Sequence, residues 1–171
     1  MPKGSQPIFT QVIGSTTSTV SFNNIPQTYT DLEIVFSGRS TNSNNVYYDA
    51  AIFLTFNNDT SANYGSVRMY SVGTGTGGSD RRTSQTTATL GLLTATETLA
   101  NVHSNVSAYI PNYASTRFKS FVSDSVNENN TTAAVMQLTG SSWKSNSPIT
   151  SIQISGNWVA NSTISLYGIA R

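Results

Sequence analysis

Proton-transfer chemistry in this chain would have to be built from one histidine, His103, and eight acidic residues. A Ser-His-Asp arrangement would need His103 at its centre. Ser104 is too close in sequence to be informative, and no G-x-S-x-G elbow occurs. Paired carboxylates for glycoside hydrolysis must face each other across a cleft. Asp31, Glu33, Asp49, Asp59 and Asp124 are instead scattered at turns and strand edges. Cysteine is absent, which excludes disulfides, thiolate metal sites and cysteine nucleophiles. The run GTGTGG at 73–78 lacks the Lys-Ser/Thr that completes a phosphate loop, and it reads as a mobile surface loop. Asn57, Asn58 and Asp59, with Asp49 one strand earlier, offer oxygen ligands of the kind calcium accepts. No D-x-[DN]-x-[DN]-G loop surrounds them, and Asn and Asp also tolerate positive φ and bond their own backbone, so a turn is the reading favoured here. The expectation is a protein with no catalytic residues, no metal and no cofactor.

Aromatic residues are the other candidates for ligand contact. Tyr47, Tyr48, Tyr113, Trp143 and Trp158 lie near loops, as do Tyr64 and Tyr70, and exposed rings could stack on sugars. The alternative, favoured here, is that they cap the core or line a subunit interface, where Tyr and Trp are enriched.

The elements that must position these residues follow from composition and period. The 171 residues suffice for one domain with a sizeable core. Charged residues make up only 10%, against about 25% in ordinary soluble domains, while Ser, Thr and Asn fill about two positions in five. A formal charge of +1 gives no broad footprint for nucleic acid or an anionic membrane. No apolar run reaches the about 20 residues of a spanning helix, and the opening MPKGSQPIFTQVIG lacks a signal-peptide core, so synthesis in the host cytoplasm is expected.

Period-two alternation recurs along the chain: Val20 and Phe22; Leu32, Ile34 and Phe36; Ile52, Leu54 and Phe56; Val67 and Met69; Leu90 and Leu92. It continues through Val106, Ala108 and Ile110, then Phe118, Phe121 and Val122, Val135 and Leu138, Ile152 and Ile154, and finally Ile164, Leu166 and Ile169. Turn-forming clusters such as NNIP at 23–26 and KSNSP at 144–148 separate the runs. The segment TATETLANVH at 94–103 could be read as one short helix capped at Thr94, or as loop. The pattern predicts an all-β fold, an antiparallel two-sheet sandwich of jelly-roll type over residues 13–171, with a short extended N-terminal arm at 1–12. Its two sheets are expected to bury apolar faces against each other and to turn neutral polar side chains outward.

Three stretches also carry a resemblance: IGSTTSTVSFNNIPQTYTDLEIVFSGRS, LTFNNDTSANYGSVRMY and ITSIQISGNWVANSTISLYGI. Together they resemble a family of small tailed-phage virion structural proteins, over nearly the whole chain from about Ile13 to Ile169. The resemblance implies a capsid decoration (cement) protein that binds the major capsid protein on the outside of the head, commonly as a homotrimer. A tail-fibre module recognising host carbohydrate is the alternative. Asn57, Asp59, Ser61, Asn63 and Tyr64 match the family's turn motif and would tie a hairpin. Leu166, Tyr167, Gly168 and Ile169 match its closing strand and would complete a sheet. No catalytic residues are implied.

Overall fold

A computed structural model of the chain describes residues 4–42, 51–73, 75–96, 99–128 and 134–170. These form twelve strands: β1 (Ser5–Val12), β2 (Thr17–Phe22), β3 (Asp31–Gly38), β4 (Ala51–Phe56), β5 (Tyr64–Val72), β6 (Gly77–Gln85), β7 (Ala88–Leu92), β8 (Ser104–Ile110), β9 (Lys119–Val126), β10 (Val135–Trp143), β11 (Ile152–Trp158) and β12 (Thr163–Ile169). Every ladder between them is antiparallel. The large sheet runs β1-β12-β3-β8-β9-β10-β5-β6 and the small one β2-β11-β4-β7.

The pairings nest. β1 pairs with β12, β2 with β11, β3 with β8, β4 with β7 and β5 with β6, and successive pairs alternate between the two sheets. An antiparallel ribbon rolled across two sheets in this way is a jelly roll. Its two four-stranded layers are β1-β12-β3-β8 and β2-β11-β4-β7. The hairpin β9-β10 and the pair β5-β6 extend the first layer to eight strands.

The core lies between the two four-stranded layers. Leu32, Ile34 and Phe36 from β3, Val106, Ala108 and Ile110 from β8, and Ile164 and Leu166 from β12 meet Val20, Phe22, Leu54, Phe56, Ile152 and Ile154 from the small sheet. Alternate residues of a strand share a face, so each of these apolar runs delivers one continuous buried stripe. The asparagine-rich composition has a local cause. Among the described residues, six of the seven non-glycine positions with positive φ are asparagine, at turns between strands. Asparagine tolerates that region because its short amide bonds the local backbone.

Three expectations need revision, and one open reading is resolved. Ser5–Val12 is extended, but it is β1, hydrogen-bonded along β12 of its own chain and the first strand of the roll. The glycine-rich run does not stay a loop. From Gly77 it becomes β6, an edge strand held by the ladder to β5 and carrying Asp80, Arg81 and Arg82, charges of the kind that discourage edge-to-edge association. Of the two readings of 94–103, the described residues 94–96 and 99–103 take the loop. That loop wraps the buried Arg39 guanidinium, which donates to the carbonyls of Thr96, Leu99 and Val102 at 2.9, 2.8 and 3.3 Å.

The third revision concerns which faces are apolar. On β5, β9 and β10 the apolar residues Val67, Met69, Val122, Val126, Met136 and Leu138 point away from the small sheet and are exposed. Their polar alternates Arg68, Ser123, Ser125, Gln137, Thr139 and Ser141 are buried. β7 of the small sheet packs along this side, and Phe56 at the end of β4 packs on Phe121 of β9 and Trp143 of β10. Beside the buried Tyr64, Phe121, Val135 and Trp143, the inner face carries a hydrogen-bonded chain. Arg68 forms an ion pair with Asp80 and reaches Gln137 Oε1 at 3.4 Å, and Gln137 donates to Thr139 at 2.9 Å.

Candidate functional site

The polar knot after β4 folds into a corner. β4 belongs to the small sheet and β5 to the large one, so Asn57–Asn63 carries the chain from one layer to the other and does not close a hairpin. Asn57 and Asn58 both have positive φ, 52° and 54°. The Asn57 amide ties the corner to the segment before β11: its oxygen accepts from the backbone N–H of Thr150 and Ser151 at 2.8 and 3.1 Å, and its nitrogen donates to Pro148 at 2.8 Å.

Asp59 is the centre of this corner. One carboxylate oxygen accepts from the Ser61 N–H at 2.9 Å, and the other accepts from the Asn63 amide at 2.9 Å and the Trp143 indole at 2.8 Å. These donors hold its pKa down at about 2, the Asn63 amide contributing most, with partial burial opposing them. Both oxygens are thus engaged within the fold, and among the described residues no three acidic, histidine or cysteine side chains converge as a metal site would require. The geometry is that of a turn. Tyr64 stands directly beneath. Its hydroxyl accepts from the Phe56 N–H at 2.8 Å, and burial pushes its pKa up.

The candidate aromatics fall in three places. Trp143, Trp158 and Tyr113 are all buried, at 1%, 0% and 0% exposure, which removes them as sugar-stacking or interface residues. Trp143 packs against Phe56 and Tyr64, Trp158 against Phe36, and the Tyr113 hydroxyl donates to the Pro26 carbonyl. They cap the core, as the alternative reading had it. Lys119, which the sequence did not mark, lies over the Trp143 ring and donates to the carbonyls of Ser115, Arg117 and Ser147, each at 2.7 Å. Burial lowers its pKa. Tyr47 and Tyr48, like Asp49, lie outside the described residues.

The closing-strand residues sit in β12 between β1 and β3. Leu166 is in the core. Gly168 lies under the Tyr29 ring, where a Cβ would come within 2.3 Å of ring carbons, so only glycine fits without moving that ring. His103 is exposed in the loop before β8.

What remains as a candidate site is the outer face of β5, β10 and β9. In register, Met69, Leu138 and Asp124 form one row across the three strands, and Val67, Gly140 and Val122 the next. Ser71, Met136 and Val126 form a third. Met136 is 65% exposed and Leu138 49%. Beside them a depression of about 390 Å³ opens over Gly65 and Gly140, which contribute no side chains to fill it. Alternation in the sequence picked out Val67, Met69, Val122 and Leu138 without saying which way they faced, and it did not mark Val126 or Met136.

Comparison with protein-family models, with curated proteins and with solved structures finds no match to this chain. The resemblance to phage virion proteins therefore rests on the motif residues alone.

Proposed function

We propose that the protein is a structural component of a phage virion, a decoration protein that covers part of an assembled head and binds its major capsid protein, and that it works without chemistry of its own. The observation that carries this reading is the exposed apolar face on β5, β9 and β10. Six large apolar side chains on three neighbouring strands make a contiguous patch of the kind that marks a protein-binding surface. Around it, hydroxyl and amide groups offer short hydrogen bonds at low desolvation cost, and with so little net charge the contacts would depend weakly on salt. The resemblance adds the expectation of several copies, three in that family. The other reading, a tail-fibre module that recognises host carbohydrate, loses Tyr113, Trp143 and Trp158 to the core.

The test is sedimentation of purified protein with DNA-filled heads and, separately, with tails of the parent phage. Heads carrying many bound copies, and greater loss of heads on heating when the protein is missing, are the expected results. Binding to tails alone would reject the decoration role.

A further inference from the structure

We infer that two copies of this chain pack face to face through the outer surfaces of β5 and β10, about a twofold axis that runs along the strands between them. The pair covers the same face that the proposed function turns to the head, so the inference concerns the free protein: head binding through that face requires the pair to part, while a chain that bound no head would still pair.

The strand order carries the argument. Across this face the order is β6-β5-β10-β9, so β5 and β10 lie either side of a midline, with β6 and β9 as the next strands out. A twofold rotation about that midline lays β5 of one copy on β10 of its partner, and β6 on β9. β6 presents Arg81, which is exposed and in no ion pair among the described residues. β9 presents Asp124, also exposed, with one oxygen accepting from Ser107 at 2.6 Å. Arg81 lies in the row of Val67 and Asp124 in the row of Met69, two residues apart. The offset is about 7 Å along the strand, which an arginine side chain spans. Because a twofold interface is self-complementary, the pair forms twice.

Shape follows the same symmetry. The rotation sets Val67 of one copy over Gly140 of the other, where a built Cβ meets nothing within 4 Å and the depression lies open. Met69 then meets Leu138, and both of these exposed side chains leave water. The area is that of a weak pair. The four overlapping strands, β6, β5, β10 and β9, at about 4.8 Å spacing and about eight residues long give a plane of roughly 500 Å² per partner, below the about 800 Å² of a stable interface and in the range of a transient one. Sheets packed this way lie about 10 Å apart, as in a β-sandwich.

Sedimentation equilibrium or light scattering across micromolar to millimolar protein tests the pairing. The expected species is a dimer; a monomer throughout, or a trimer, overturns the inference. Gly140→Leu fills the depression without touching the chain's own core and is expected to weaken the dimer at least about tenfold, with circular dichroism unchanged. Arg81→Asp alone is expected to weaken it to a similar degree by setting like charges together. Adding Asp124→Arg to Arg81→Asp should restore most of the affinity. A dimer indifferent to Gly140→Leu, or a double variant no tighter than Arg81→Asp, would place the contact elsewhere and overturn the proposed pairing. Head binding is scored separately in the sedimentation assay, so loss of either property is distinguishable from loss of the other.

Discussion

In β3 and β12, Ile34, Phe36, Ile164 and Leu166 face the small sheet and are buried. In β5 and β10, Met69, Met136 and Leu138 face away from it into solvent, though all four strands belong to the same sheet. The pleat fixes two sets of side chains in each strand, and what lies opposite decides which set is buried. Opposite β3 and β12 stand β4 and β11, whose own apolar residues need cover. Opposite β5, β9 and β10 stand β7 and, at one end, Phe56 of β4, and there the buried set mixes Arg68, Gln137, Thr139 and a row of serines with Tyr64, Phe121, Val135 and Trp143. The eight-stranded sheet is thus half sandwich and half platform, and the platform turns its apolar side outward.

Paired truncations give the widest test of that contrast. Leu166→Ala removes a side chain of zero exposure and is expected to cost about 2–5 kcal/mol, the usual range for a core leucine. Leu138→Ala, at 49% exposure, should change the stability of the dilute chain by no more than about 0.5 kcal/mol. Urea denaturation of both at low protein concentration decides it. Equal losses would mean that the outer face is not solvent-exposed in the free protein.

The corner at Asp59 belongs to both halves, since it hands the chain from β4 in the sandwich to β5 in the platform while bonding Trp143 at the end of β10. Asp59→Asn leaves one acceptor oxygen where three donors converge and turns an amide N–H toward other N–H groups. A loss of about 1–3 kcal/mol is expected from the unpaired polar groups. The effect has a pH signature. Asp59 is held at about pKa 2 in the fold, below its ordinary value of 3.8, so its contribution is complete above about pH 4 and is lost as pH falls toward 2. Wild type and variant should therefore converge in stability between pH 4 and pH 2. A constant gap across that window would show that the carboxylate is not what the donors recognise.

Much of the sandwich was legible in the residues. Strict alternation in β3, β4, β8, β11 and β12 marked both the strands and their buried sides, because each of those strands faces another apolar layer. The nested pairing was not written in local pattern, since it depends on which distant strand each one meets. β6 left no periodic signal: an edge strand of Gly, Ser, Asp and Arg buries no stripe and is defined only by its ladder to β5. For β5 the alternation was visible and its direction was not; in β10 Val135 and Leu138 lie on opposite faces, so they marked a strand without a side. Val67 and Met69 look in sequence like any core pair, yet in this strand it is their polar alternate Arg68 that is turned inward and buried. The corner residues were recognisable as turn formers, yet the Asp59 contact to Trp143, 84 positions away, required the fold.

The smallest expected effect probes the polar side of the platform. Ser123 and Ser141 are buried there, and among the described residues neither hydroxyl has a hydrogen-bond partner. A buried hydroxyl without a partner keeps its desolvation cost with no bond to offset it. Ser123→Ala removes that group and little volume, so the variant should match wild type or gain up to about 1 kcal/mol in urea denaturation. The same exchange at Ser125, whose Oγ accepts from the Leu92 N–H at 3.2 Å, should instead cost stability, because it strips the one side-chain acceptor from a buried backbone donor in β7. Opposite signs at two serines only two residues apart on one face would establish that bonding to β7 governs the platform's inner side. A loss at both would mean that Ser123 is bonded after all and that the inner face is held by a wider polar network than the one running from Arg68 to Thr139.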